Sequence, residues 1–209
     1  MTSRPHQLLT IDLGDAPDAW RSAGFDLADD GTFALGATTV RCTGTGVPFQ
    51  GWAIDGIGAA LDGLAPVGPG HATTNAAPHP NGISRIDHVV VRTGDCARTI
   101  AAFEGAGLEV RGGRSTTSYG PPMRQTFFWA GDVILELVGP DEGEPTTDEA
   151  TSIFGLALVA DDLDATAARL GELMGTPKDA VQDGRRIAGL RGREVGIALP
   201  VAVMSPHPG

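Results

Sequence analysis

Apolar and polar positions along the chain follow two alternating periods. Residues 86–91, Ile-Asp-His-Val-Val-Val, make a short apolar run, and beyond a polar turn Ala97, Ile100 and Phe103 recur three residues apart. A spacing of three or four lines one face of a helix, while short apolar runs bounded by turn residues read as strands. The segment therefore predicts a strand and then a helix, with Gly107 placed to end it. Strand-like segments follow at Leu108–Arg111, Arg124–Ala130 and Val133–Val138, the last two joined by Gly131-Asp132 as a hairpin turn. The same order returns from Ile153. A strand leads to a helix with Leu163, Ala167, Leu170 and Met174 on one stripe and Asp161 or Asp162 at its start. Strands at Arg185–Leu190 and Val195–Val203 come next, split by Arg191-Gly192-Arg193-Glu194.

Each unit reads β-α-β-β-β, one over residues 83–140 and one over 152–204. Residues 1–57 are a fainter copy, with a strand at Leu8–Leu13, a helix at Ala16–Ala23, and strands at Thr32–Cys42 and Gly51–Ile57. Trp20 and Trp52 are expected in its core. Residues 58–82, carrying Gly68-Pro69-Gly70 and His79-Pro80-Asn81-Gly82, read as a linker. The predicted fold is α+β: tandem βαβββ modules forming one cupped mixed sheet over 83–204, preceded by a degenerate third module. An odd number of modules leaves one sheet to close on the other two or on a second chain, and the second option predicts a homodimer.

Tandem βαβββ units with Ile86-Asp87-His88-Val89-Val90-Val91 opening the first and Ile134-Leu135-Glu136-Leu137-Val138 closing it resemble the vicinal oxygen chelate superfamily. That superfamily includes glyoxalase I, extradiol dioxygenases, methylmalonyl-CoA epimerase and the bleomycin-resistance proteins. The resemblance covers about 120 residues well and the N-terminal 80 poorly. It implies one metal ligand on the first strand and one on the last strand of each module, which His88 and Glu136 match in module one. In module two the matching positions are Gly155 and, by alignment of the hairpins, Ala198, neither of which offers a ligating side chain. The implied metal site is degenerate.

Strand alternation places His88 and Glu136 together on the concave face, with Val89, Val91, Val133, Leu135 and Leu137 turned to the helices. The two residues suit Zn, Ni, Fe or Mn, and His71 and His79 are candidates for a third ligand. Without a metal, a carboxylate in an apolar cup is pushed up in pKa and suits a general base beside a carbonyl, with His88 orienting it or stabilising an oxyanion. Ligand contacts are expected from Tyr119, Met123, Arg124, Phe127 and Trp129. Core packing and a ligand platform both account for this aromatic cluster, and the sequence leaves open which alternating set of the strand faces the cup.

Composition narrows the partners. The 209 residues carry 26 acidic and 15 basic side chains, a net charge of −11, which repels phosphate backbones and anionic lipid surfaces. Hydrophobic residues are 41% of the chain, no run is long enough to cross a bilayer, and the N-terminus lacks the apolar core of a signal peptide. A cytoplasmic protein without nucleic-acid or membrane partners is expected. Cys42 and Cys96 stand apart, with no zinc or disulfide spacing. Arg185-Arg186 and Arg191–Arg193 read as an exposed hairpin. Two functions follow: a glyoxalase-like enzyme of lyase or isomerase type, acting on a small carbonyl or hydroxy-carbonyl compound, and a non-catalytic small-molecule binder of the bleomycin-resistance type. His88 and Glu136 favour the first, Gly155 and Ala198 the second.

Overall fold

The N-terminal sheet holds β1 (Leu8–Leu13), β2 (Thr32–Leu35), β3 (Thr38–Cys42) and β4 (Gly51–Ile54), in the order β2-β3-β1-β4, with helix α1 (Pro17–Ser22) after β1; burial alternates along β2 and β3, while β1 and β4 are buried almost throughout. The computed structural model describes residues 6–68, 77–117, 122–141 and 150–208. The single strand expected over Thr32–Cys42 is a hairpin, because Gly36 takes a φ of +65° and turns the chain. Strand β1 pairs parallel with β3 and antiparallel with β4.

The second sheet has eight strands. Module one supplies β5 (Ile83–Arg92), helix α2 (Cys96–Gly105), β6 (Gly112–Thr116), β7 (Met123–Ala130) and β8 (Val133–Pro140). Module two supplies β9 (Ser152–Ala160), helix α3 (Leu163–Leu170), β10 (Lys178–Asp179), β11 (Arg186–Leu190) and β12 (Val201–Met204). The strand order is β10-β11-β12-β9-β5-β8-β7-β6, so the modules join through antiparallel β5 and β9 at the centre. Both first strands pair parallel with the last strand of their own module.

Equivalent positions lie 67 residues apart. Asp95 and Asp162 each cap a helix, accepting from the backbone N–H of Arg98 and Ala165 respectively. A bulge recurs at the same offset, with Asp87 extra on β5 and Phe154 extra on β9.

This geometry resolves the odd module. In the large sheet β5 has β8 on its parallel side and β9 on its antiparallel side; in the small sheet β3 and β4 take those places around β1. Thus β4 sits beside β1 where another module's first strand would sit. The small sheet shares a continuous core with the large one, Trp20 and Trp52 included. Trp52 meets Phe103 edge-on at 6.4 Å. Asp15 ties α1 to module two, accepting from Trp20 Nε1 at 2.9 Å and from the Ala198 N–H at 3.1 Å.

Two expected strands differ. Leu108–Arg111 is not one: Leu108 is buried in the core, Val110 is exposed, and pairing with β7 starts regularly at Gly112. Residues 192–195 form a 3-10 turn, so the last strand begins at Val201 instead of Val195.

The segment expected to be a linker is anchored where it is described. Asp62, in a left-handed conformation (φ 47°), accepts from Arg98 Nε at 2.8 Å, from Thr99 Oγ1 at 2.5 Å and from the Thr151 hydroxyl. It clasps the start of α2 to the start of β9. Asp62→Asn keeps a residue that tolerates this backbone but removes the charge, and is expected to cost about 1–2 kcal/mol, read as a lower urea midpoint with an unchanged slope.

Candidate functional site

The site grows from the bulge on β5. In a regular strand Ile86 and His88 would share a face, and Asp87 would point the other way. The extra residue shifts this: Ile86 pairs with Leu158 in the core, while His88 pairs with Ala157 on the concave face. Asp87 then lies close enough that His88 Nδ1–H donates to Asp87 Oδ2 at 2.7 Å. Strand pairing lays the concave face out in rows. One row is Ala202, Ala157, His88, Ile134 and Trp129; the next is Gly155, Val90, Glu136, Phe127 and Gly112.

His88 Nε2 lies 3.3 Å from Glu136 Oε2, and both side chains are slightly exposed, at 13% and 12%. A small molecule in the cup can therefore touch both. Each has an orienting partner. Gln125 donates its amide N–H to Glu136 Oε1 and accepts from Arg114 Nε at 2.5 Å. Behind His88, Asp87 Oδ1 accepts from Arg185 Nη2 at 2.7 Å, and Arg185 Nε and Nη2 donate to the Ser205 carbonyl. A continuous polar chain thus runs Arg185–Asp87–His88–Glu136–Gln125–Arg114 across the sheet.

The hydrogen bonds locate a proton. A carboxylate accepts but does not donate, so Asp87 keeps a proton on His88 Nδ1. Nε2 and Oε2 at 3.3 Å would then face each other with lone pairs unless one proton lies between them. Asp87 itself stays ionised: its hydrogen bonds and charge contacts with His88 and Arg185 outweigh burial and hold its pKa well below the usual aspartate value of 3.8. The stabilisation this lowered pKa supplies is present above pH 3.8 and is lost as pH falls below it. Asp15 has the opposite sign, because burial raises its pKa and its contribution fades as pH rises past 3.8. The urea midpoint should therefore drop below pH 4, and drop less in a variant lacking Asp87 and Arg185.

The other expected site residues divide by parity on β7. Phe127 stands directly opposite Glu136, and Met123 and Trp129 share its face. Arg124 does not join them; it lies opposite Gly139 on the other face and is exposed. Tyr119 and His71 lie outside the described residues. His79 is no third ligand: its Nδ1 accepts from the Asp26 N–H and its Nε2 donates to the Ala34 carbonyl, and it stacks edge-on with Phe25 and Phe33 in the small domain's core. Arg185, expected in an exposed hairpin, is 2% exposed. The apolar cup expected around Glu136 is polar on two sides.

Module two contributes no ionisable group to these rows. A Cβ at Gly155 would meet the Pro200 carbonyl oxygen at 2.6 Å, so backbone fills the place His88 has in module one. The counterpart of Glu136 is Ala202, not Ala198, because Ala202 pairs with Ala157 as Glu136 pairs with Val90. Among the described residues no group of three His, Cys, Asp or Glu side chains converges as metal ligands. Among the described residues His88 and Glu136 are two donors facing each other, fewer than the three protein ligands usual in a catalytic metal centre. A cavity of about 360 Å³ lies elsewhere, between Phe49, Leu64 and Ile153, and no residue of the polar chain lines it.

No family model matches this chain, and no curated protein does. Several solved structures resemble it. Methylmalonyl-CoA epimerase from Mycobacterium tuberculosis is 18% identical, covering 64% of this chain and 93% of its own, with a TM-score of 0.49. The Streptomyces coelicolor epimerase, solved with 2-nitronate-propionyl-CoA, is 20% identical over 60% of this chain and 99% of its own, at 0.46. A hypothetical protein from Bacillus halodurans is 16% identical over 60% and 96%, at 0.47. The fold is legible in this chain's own topology. Two βαβββ units, matched in helix cap and bulge and joined through their first strands, give residues 83–204 the fold of the vicinal oxygen chelate superfamily.

Proposed function

We propose that the concave face of the large sheet moves a proton at a carbon next to a carbonyl, as an isomerase or epimerase acting on a small carbonyl or hydroxy-carbonyl compound. The observation that carries this is the His88–Glu136 pair, 3.3 Å apart, reachable from the cup and held from both sides. Glu136 takes the proton from carbon as the C–H bond breaks, and its electron pair moves onto the carbonyl oxygen. His88 Nε2–H turns from Glu136 to that oxygen and stabilises the enolate. Return of the proton from Glu136 to the neighbouring carbon gives the isomer; protonation of the opposite face of the planar enolate by solvent water, with Glu136 releasing its proton to solvent, gives the epimer. Phe127 and Trp129 supply the apolar wall, and Gly112 at the edge leaves the flank of the Phe127 ring open to an entering molecule.

The test is hydrogen–deuterium exchange at the carbon beside the carbonyl, followed by proton NMR in D2O over 2-oxo acids, 3-oxo acids and hydroxy-ketones. Exchange by the parent that disappears in Glu136→Gln supports the reading. Binding without exchange would favour the second reading, a small-molecule binder, for which the bare module-two half of the cup is the supporting observation.

A further inference from the structure

A third row of the cup carries two arginines that the proton transfer does not use. Pairing runs Arg92, Val138, Gln125 and Arg114 across β5, β8, β7 and β6, on the same face as Glu136 and one row away from it. Rows on a sheet face are about 7 Å apart, and three strand steps separate the two arginines by about 14 Å at the backbone. Arg114 reaches inward along this row. Its Nε donates to Gln125, whose amide donates to Glu136, so one amide group separates the guanidinium from the base. That leaves Arg114 Nη1 and Nη2 as a fork without a hydrogen-bond partner among the described residues.

The setting sharpens the meaning of this fork. The chain is net −11, so its overall field repels an anionic metabolite, and a cation beside the base has to offset that repulsion locally. A guanidinium fork matches the two oxygens of a planar carboxylate better than it matches a neutral group. We infer that the substrate carries a carboxylate a few bonds from the carbon that loses its proton, and that Arg114 holds it. This rests on the acid–base reading for the identity of the reacting carbon, but the binding it predicts can be measured without turnover.

The test is a ligand-observed NMR titration of Glu136→Gln, which keeps the cup but removes the base. The probes are 2-oxobutyrate against its neutral amide, and dihydroxyacetone phosphate against dihydroxyacetone. The carboxylate should bind at least tenfold or so more tightly than the amide. That gap should close when Arg114→Gln is added and partly reopen with Arg114→Lys, each variant being titrated well below its own unfolding midpoint. Equal binding of acid and amide, no binding of 2-oxobutyrate, or a gap that survives Arg114→Gln overturns the inference. A phosphate ester that outbinds the carboxylate overturns the assignment of the anion. Failure of the catalytic reading leaves a different mark: the binding preference stands while the parent shows no exchange.

Discussion

Glu136→Gln is expected to lower the exchange rate by about 10²–10⁴-fold while leaving stability within roughly 1 kcal/mol of the parent. The separation of the two effects follows from the hydrogen bonds. In the parent, Glu136 Oε1 accepts from Gln125 and Oε2 faces His88 Nε2. A glutamine has the same shape. Its carbonyl oxygen still accepts from Gln125, and its amide N–H donates to the lone pair of His88 Nε2, because Asp87 keeps the imidazole proton on Nδ1. Every polar group remains satisfied, but no group is left that can take a proton from carbon. Denaturant midpoint and exchange rate measured on the same preparations check this. A comparable loss in both would mean that the carboxylate holds the sheet together, and the base role would fall.

How much of this was legible in the chain depends on how local each feature is. The strand–helix grammar repeats at an offset of 67 residues, and so the tandem modules and the concave placement of His88 and Glu136 could be read directly. Caps and two-residue turns are local chemistry, and Gly131-Asp132 and Asp162 stand where the pattern puts them. The bulge was not legible. Ile86-Asp87-His88 reads as plain alternation, and only pairing with β9 shows that Asp87 is the extra residue that turns to His88. Arg185 was hidden for a related reason, since its partner lies 98 positions earlier in the chain and two adjacent arginines look like a solvated turn. The choice between Ala198 and Ala202 turned on where the last strand starts, and the 3-10 turn over Gly192–Val195 moves that start by a distance no hairpin alignment reveals. Gln125 sits in a strand the pattern predicts, but its role needs the register that sets Phe127 opposite Glu136.

Asp87→Ala is expected to be the most damaging single change, costing about 3–5 kcal/mol. The carboxylate accepts from His88 on one oxygen and from Arg185 on the other, and the Arg185 side chain is 1% exposed. Removing the anion strands a guanidinium that water cannot reach, which costs more than the lost hydrogen bonds alone. For a chain of this length the melting temperature should fall by on the order of 10 °C. The remedy is to remove both charges. Asp87→Leu with Arg185→Met replaces a buried ion pair by apolar side chains of similar volume, a change that is often neutral or stabilising. The double variant should therefore recover most of the stability. Activity should not recover with it, because His88 Nδ1 has lost the acceptor that fixes its proton and its orientation. A kcat roughly 10–100-fold below the parent with KM little changed is expected. A double variant as active as the parent would show that the ion pair serves only the fold, and that His88 needs no partner to present its proton.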